Sequence, residues 1–282
     1  MKAIKIKRFF IYVILFLILF VTLVPLLYTF CASFKSNMEM LTNPASMIPE
    51  NPTLDNYIKV WQSEDFNFFR MYINSIMYTL VSVFTAVFIS SMAGYAFAVG
   101  RFRFKKLIFT AFSSLLFIKL GSVSIYATFD VLNLLHIKRS LYSLMLIHLF
   151  SVPVVNIYLV RSFVFSLPGG IIEAAKIDGC TFFTTFLRVI LPLLKPVLAT
   201  IAILSFKNSW NDYLMPTIFT LTRPEQRTVI VGLLALKNSD GAATNWNLML
   251  AGSVVSMLPV IIAYICANKY FVNGIAAGAV KG

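Results

Sequence analysis

Long apolar runs alternate with short polar connections along the whole chain. About 20 mostly apolar residues are needed to cross the hydrocarbon core of a membrane when every backbone hydrogen bond closes within a helix. Six runs approach or exceed this length, and they cover residues 9–30, 71–99, 107–129, 141–160, 189–206 and 249–267. The pattern therefore predicts an all-α membrane protein with six transmembrane helices.

Composition supports this interpretation. Of the 282 residues, 59% are hydrophobic and 12% are charged. An average soluble domain has roughly half apolar and a quarter charged residues. A water-soluble fold is therefore not expected.

The net charge of +13 raises the question of nucleic-acid binding. The basic residues, however, cluster beside the ends of apolar runs, as the positive-inside rule describes for cytoplasmic loops. The two clusters are Lys2, Lys5, Lys7 and Arg8 before the first run, and Arg101, Arg103, Lys105 and Lys106 after the second. We therefore expect a multi-pass membrane protein, surrounded by lipid, with both termini in the cytoplasm and no nucleic-acid partner.

The first run is preceded by basic residues, as a signal peptide would be. Its apolar stretch is too long for a signal peptide, and no A-x-A cleavage site follows, so we interpret it as an anchor helix. Residues 33–70 are polar, contain Pro44, Pro49 and Pro52, and are predicted to lie outside. A short surface helix is predicted at residues 54–61, either in a solvated connector or in a docking surface.

The connection at residues 161–188 has clear helix boundaries. Pro168, Gly169 and Gly170 break the preceding helix, and the following residues favour a helix of about two turns. Gly179 can adopt the positive φ that ends a helix, and Thr181 can cap the next one. Two prolines, Pro192 and Pro196, are then expected to bend the fifth span.

A motif in this connection resembles the EAA loop of ABC-importer permeases. Glu173-Ala-Ala175 is followed by Gly179 and by Val189-Ile-Leu-Pro192, with Val189 where the family usually has Ile. Further matches indicate the sugar-importing, MalG-like branch. They are Asn74-Ser75, Ala93-Gly-Tyr-Ala-Phe97, Asp178, Pro196, Trp210-Asn-Asp212 and Gly278-Ala-Val-Lys-Gly282.

The resemblance implies a type I importer fold, a location in the bacterial inner membrane and a set of partners. These would be a second permease subunit, a pair of ATPase subunits, an extracellular substrate-binding protein and a sugar or oligosaccharide. ATP and Mg would be bound by the ATPase, since no G-x-x-x-x-G-K-[ST] loop occurs in this chain. The short helix would be the cytoplasmic coupling helix, contacting the ATPase through Glu173, Ala174, Ala175, Lys176, Asp178 and Gly179.

The same resemblance implies three regions. Residues 1–70 would form the anchor helix and extracellular segment, residues 71–270 the transmembrane core, and residues 271–282 a cytoplasmic tail. The glycine- and alanine-rich tail from residue 273 is expected to be a frayed end, with contact to the ATPase pair as a second hypothesis.

Polar residues within or near the apolar runs are candidates for the substrate path. They are Asn156, Asn208, Trp210, Asn211 and Asp212, and capping or helix–helix hydrogen bonding is the alternative for each. The polar stretch from Asn208 precedes a second apolar rise at residues 213–221, which either extends the fifth helix or folds back. Lys119 in the third run either snorkels, has a structural partner or contacts substrate.

No catalytic or metal-binding constellation is expected. The three cysteines are scattered, and neither His136 nor His148 has a Cys, Asp or Glu neighbour at ligand spacing. A secondary transporter or channel is the first rival function, but all eleven acids lie outside the assigned apolar cores. A membrane enzyme is the second rival function. Within the importer class, an amino-acid or peptide permease also fits the apolar pattern.

Overall fold

The computed structural model describes residues 2–62, 67–117, 123–236 and 245–279. Within these ranges the chain is helical and contains no strand. It divides into two units, one formed by Met1–Met71 and Val229–Leu258 and the other by Tyr72–Thr228 and Pro259–Gly282.

Seventeen helical segments follow one another along the described residues. In chain order they are α1 Lys2–Ala32, α2 Asn37–Thr42, α3 Asp55–Gln62, α4 Phe68–Val99, α5 Lys105–Ser114, α6 Val123–Leu134, α7 Leu141–Leu149, α8 Val154–Ser166, α9 Gly170–Ile177, α10 Phe182–Thr185, a π turn Phe186–Ile190, α11 Leu191–Leu193, α12 Lys195–Trp210, α13 Leu214–Phe219, a 3₁₀ turn Pro224–Gln226, α14 Val229–Ala235 and α15 Trp246–Ala279.

In the first unit, Asn56 joins three segments. Its side-chain amide donates to the carbonyls of Ser33 and Lys35, both at 2.8 Å, and its oxygen accepts a 2.7 Å hydrogen bond from Asn247. This buried amide stabilises the position of α3. Helix α3 itself, at Asp55–Gln62, confirms the short helix predicted at residues 54–61.

The core of the second unit lies between α4, α8 and the segment from α10 to α12. Its buried members are Tyr95, Ala98, Val160, Val164, Phe186, Ile190, Leu194 and Ile201. A second cluster joins α4, α6, α7 and α13, and consists of Tyr78, Leu132, Leu141, Leu144, Met145 and Phe219. Phe219 is 1% exposed, so the apolar rise at residues 213–221 folds back as α13.

Among the described residues, four helices or helix pairs are long and apolar enough to cross a membrane: Arg8–Ala32, Phe68–Val99, Leu141–Ser166 and Trp246–Ala267. A fifth crossing arises if the bent pair Phe182–Leu193 and Lys195–Trp210 is one span. The first, second and sixth predicted runs therefore lie in continuous helices. The last of these, α15, continues to Ala279, where a frayed end was expected from residue 273.

The third predicted run is not one helix. From Leu115 to Phe117 the backbone hydrogen bonds shorten to three-residue turns, such as Leu115 N–H to the Phe112 carbonyl at 3.1 Å. The Ser114 hydroxyl donates to the Ala111 carbonyl at 2.8 Å, and such side-chain bonds compete with helix continuation. Lys119 lies outside the described residues.

The fourth predicted run is interrupted between α7 and α8. Pro153 has no N–H to donate to the helix and disfavours the helical conformation of Val152. The chain resumes its helix at Val154 and continues past the predicted end to Ser166.

The predicted bend in the fifth run is confirmed. The helices before and after Leu194 differ in direction by 74°. A π turn precedes Pro192, and Pro196 follows at the start of α12. Both features release backbone hydrogen bonds where the helix changes direction.

Candidate functional site

Helix α9 presents one side of its surface to solvent. Ala175 is buried, whereas the side chains of Glu173, Ala174, Lys176 and Ile177 are exposed. Ile177 is 86% exposed. The exposed side of α9 therefore carries charged, small and apolar side chains.

The end of α9 is a Schellman motif. Gly179 has a φ of +78°, its N–H donates to the Lys176 carbonyl at 3.0 Å, and the Cys180 N–H donates to the Ala175 carbonyl at 2.9 Å. The predicted stop at Gly179 is thus confirmed. Asp178, the last residue before it, is exposed.

Helix α10 begins directly after this turn and is held by α4. Thr181 caps it by accepting a 3.3 Å hydrogen bond from the Thr184 N–H, as predicted. The Tyr95 hydroxyl donates to the Phe182 carbonyl at 3.0 Å, and its ring lies 4.6 Å from the Phe182 ring. Ile172 of α9 packs against the same core cluster. The exposed helix is therefore seated on the buried core.

Helices α4 and α8 approach very closely beside this segment. A β-carbon added to Gly94 would lie 2.5 Å from Val160 Cβ, so only glycine permits this distance. One residue further along α8, Arg161 Nε donates to the Phe97 carbonyl at 3.4 Å. The Arg161 guanidinium also lies 3.9 Å from the centre of the Phe109 ring.

A second cation, Lys105 of α5, lies at the C-terminus of α4. Lys105 Nζ donates to the carbonyls of Ala98 at 3.0 Å and Gly100 at 2.9 Å. These bonds satisfy carbonyls that the helix end leaves unpaired and complement its dipole. Burial lowers the pKa of the Lys105 amine, and the charge of Arg161 lowers this pKa further.

A polar cluster lies just beyond the C-terminus of α12. Tyr78 of α4 donates its hydroxyl proton to Asp212 Oδ2 at 2.7 Å, and His148 Nε2 of α7 lies 2.9 Å from the same hydroxyl oxygen. The hydroxyl has one proton and gives it to Asp212, so His148 must carry its proton on Nε2 and donate it to Tyr78.

The residues predicted for the substrate path have different surroundings. Trp210 is 2% exposed, and its ring stacks on Phe206 and contacts Tyr72 edge-on. Asn211 is exposed and donates back to the Lys207 carbonyl at 2.8 Å. Asn208 is exposed, and Asn156 is half-buried on α8.

Sequence reasoning thus named Asp212 as a candidate but not its partners, and Asp212 makes a hydrogen bond between helices, the alternative given for it. Tyr78 and His148 lie 134 and 64 residues away along the chain. One signal was present, since His148 is one of only two histidines and follows an apolar segment.

Within the described ranges, no group of three or more His, Cys, Asp and Glu side chains is arranged to hold a metal ion. Cys31, Cys180 and Cys266 are free thiols.

The fold defines a multi-span helical membrane protein that exposes the short helix α9 at one end of its second unit. The chain belongs to the family of binding-protein-dependent transport system inner membrane components, whose model matches residues 3–276.

Curated relatives match over nearly their whole length. The arabinooligosaccharides transport system permease protein AraQ of Halalkalibacterium halodurans is 32% identical over 267 residues, which cover 94% of this chain and 93% of the relative. The galactooligosaccharides transport system permease protein GanQ of Bacillus subtilis is 31% identical over 283 residues, covering 99% and 98%.

The fold also resembles that of a solved structure. A chain in the crystal structure of a bacterial ABC transporter involved in the import of the acidic polysaccharide alginate matches with a TM-score of 0.82 and 25% sequence identity. The match covers 96% of this chain and 98% of that chain. This likeness agrees with the predicted ABC-importer permease fold.

Proposed function

We propose that this chain is the pore-forming permease subunit of an ATP-driven importer for a sugar or oligosaccharide. The relatives named above transport arabinooligosaccharides and galactooligosaccharides, and they match along the full chain. The class of substrate rests on these relatives. The coupling to an ATPase rests on one structural observation, which is the exposed surface of α9.

In this proposal the chain crosses the inner membrane six times. The third crossing begins in α5 and ends in α6, and the fifth is the bent element from α10 to α12. The basic residues before α1 and around Arg101 to Lys106 lie in the cytoplasm. Both termini and α9 then lie on the cytoplasmic side, and residues 33–70 lie outside. The three predicted regions, 1–70, 71–270 and 271–282, correspond to this topology.

Helix α9 would dock into a cleft on the ATPase subunit. Ala174 has a small side chain and permits close approach, Ile177 supplies apolar contact area, and Glu173, Lys176 and Asp178 supply charges that select the partner. Ala175 faces inward, so its role is to bring α9 close to its own core. Gly179 sets the angle at which the chain leaves the docked helix.

The packing around α9 suggests how force would be transmitted. Ile172 and the Tyr95–Phe182 hydrogen bond connect α9 and α10 to α4, and the core cluster continues into α8 and α12. When ATP and Mg close the ATPase pair, these helices would move with α9 as one packed body. Such rigid-body motion can shift the spans between inward-open and outward-open states.

The segment after α12 is our candidate for the substrate path. Asn208 and Asn211 are exposed, and Asp212 is half-buried, so their polar groups could hydrogen-bond sugar hydroxyls. Trp210 would support this segment from behind, because its ring is already packed against Phe206 and Tyr72. Asn156 would contribute from α8.

The coupling role can be tested in the complete complex with its second permease, ATPase pair and binding protein. Ala174→Trp places a bulky side chain on the docking surface without entering the core of this chain. We expect it to reduce co-purification of the ATPase and to abolish ATP hydrolysis stimulated by sugar-loaded binding protein. Ser166→Trp, at an exposed position just before α9, is the matched control. Unchanged ATPase retention and stimulation in Ala174→Trp would refute the docking role.

A further inference from the structure

A basic depression of about 450 Å³ lies where α6 ends and the chain turns toward α7. We call it the basic pocket. It is lined by Asn133, His136, Ile137, Lys138, Arg139, Thr222 and Arg223. Three of these side chains carry a permanent positive charge at neutral pH.

The described residues of this chain do not neutralise the positive charges in the basic pocket. Lys138 and Arg139 are exposed and Arg223 is half-buried. Among the residues that the structure describes, the one ion pair joins Lys35 to Glu39. Asp130 and Glu225 are the nearest acids along the sequence, and neither lines the pocket.

Backbone hydrogen bonds and an aromatic contact fix the residues around the pocket. Helix α6 ends in a Schellman motif in which the His136 N–H donates to the Asn133 carbonyl at 3.0 Å and the Ile137 N–H to the Leu132 carbonyl at 2.9 Å. His136 has a φ of +54°, the left-handed conformation that this motif requires of the residue after the helix. Beside it, the Arg139 guanidinium lies over the Phe129 ring at 5.1 Å.

Hydrogen bonds place the pocket at the end of the second unit that is remote from α9. The 3₁₀ turn that follows Arg223 accepts from Leu141 N–H through Gln226 Oε1 at 3.0 Å. Its flanking carbonyls at Glu225 and Arg227 accept from Asn74, near the start of α4, both at 3.0 Å. Helix α9 lies beside the other end of α4, whose 32 residues span about 48 Å.

In the proposed topology this end faces outward. Short loops on that side are normally poor in Lys and Arg, because positive charge is retained in the cytoplasm. Three clustered cations there run against this bias. A role outside the membrane would explain them.

We infer that the basic pocket receives carboxylate side chains from the surface of the extracellular binding protein. This inference rests on the proposed function, in which such a protein delivers the substrate. Carboxylates are the complementary groups for an unneutralised Lys–Arg–Arg set, and arginine can bind them with two parallel hydrogen bonds. Charges at the rim of an interface mainly accelerate association, and salt screens the effect.

The test uses the reconstituted complex in nanodiscs of neutral lipid and measures ATP hydrolysis against the concentration of sugar-loaded binding protein. We expect Lys138→Glu/Arg223→Glu to raise the apparent KM for the binding protein roughly tenfold at low salt, with the maximal rate unchanged. The difference from wild type should shrink as NaCl is raised. A purely structural defect would lower the maximal rate instead, and this loss would not depend on the NaCl concentration.

Lys59→Glu/Arg70→Glu is the matched control, because it makes the same change in net charge at exposed positions outside the pocket. An equal rise in KM in this control, or none in the pocket variant, would overturn the inference. An effect that appears only when anionic lipid is added would also overturn it, in favour of a lipid headgroup. If no binding protein stimulates even the wild-type complex, the proposed function fails, and this outcome is distinct from a failure of the pocket alone.

Discussion

The Tyr78 hydroxyl and the Asp212 carboxylate form a 2.7 Å hydrogen bond between residues 134 positions apart in the chain. The bond joins the first half of α4 to the second residue after α12, and His148 extends it to α7. It therefore fixes the C-terminal end of the bent fifth element against two other helices of the second unit.

Removing this bond should weaken the second unit. Tyr78→Phe leaves the Asp212 carboxylate without its donor, at a cost of about 1–3 kcal/mol. We expect a lower midpoint of thermal unfolding in detergent, with Tyr142→Phe, at an exposed tyrosine of α7, as control. In Tyr78→Phe/Asp212→Asn the loss should be smaller than the sum of the two single changes, because both remove the same interaction. Strict additivity would show that the two residues do not stabilise each other.

The positive φ of Gly179 gives a second prediction. Open space surrounds its missing β-carbon, so Gly179→Ala is unfavourable through backbone conformation alone, by about 1 kcal/mol. Under the proposed docking role, this misaligns α9 and should weaken ATPase binding roughly fivefold in a titration of the ATPase against the permease pair.

Gly170→Ala is the control for this change, since its β-carbon also meets open space and its φ is not positive. Gly179→Asn should be milder than Gly179→Ala, because Asn adopts the left-handed region more readily. Equal binding by Gly179→Ala and Gly170→Ala would contradict the role assigned to this turn.

The close crossing of α4 and α8 should not tolerate a methyl group. Gly94→Ala forces the two helices apart and should destabilise the protein by about 1–3 kcal/mol. Val160→Ala should restore only part of this loss, because the added carbon would still meet Val160 Cβ at 2.5 Å and the Arg161 backbone nitrogen at 3.1 Å. Thermal unfolding in detergent provides the measurement. Complete rescue of Gly94→Ala by Val160→Ala would show that the α4 and α8 backbones do not approach this closely at Gly94.

The positive charge of Arg161 should have a measurable effect on the pKa of Lys105. Because the folded pKa of Lys105 lies below its ordinary value of 10.5, the unfolded chain binds more protons between these two values. The contribution of this amine to stability therefore rises with pH in that window. Arg161→Gln should move the pKa of Lys105 toward 10.5, whereas Arg161→Lys should leave it lowered.

The rate of amine acylation at Lys105 across pH, followed by mass spectrometry, measures this change. Only the neutral amine reacts, so the midpoint of labelling should move to higher pH in Arg161→Gln. Labelling of Lys106 in the same digest controls for the reagent. An unchanged midpoint in Arg161→Gln would show that the two cations do not interact.

Local features of the site were predictable. Gly179 ends α9 and Thr181 caps α10. Both effects depend only on a few adjacent residues and their own backbone groups, so the sequence shows them. The break before Val154 was equally local, since Pro153 disrupts helices in a known way, but a continuous apolar run concealed it. The end of α5 at Ser114 had only a weak signal in its pair of serines.

The sequence by itself determined the helical class, the long apolar helices α1, α4 and α15, and the short exposed helix with its glycine stop. These follow from the length of apolar runs and from caps, which act over one or two turns. Only the tertiary structure decided that Tyr78 and His148 meet Asp212, that α4 and α8 touch at Gly94, and that three cations share one pocket. Each of these depends on which helix faces bring distant residues together, and the energy of that packing is spread over many contacts of the folded chain.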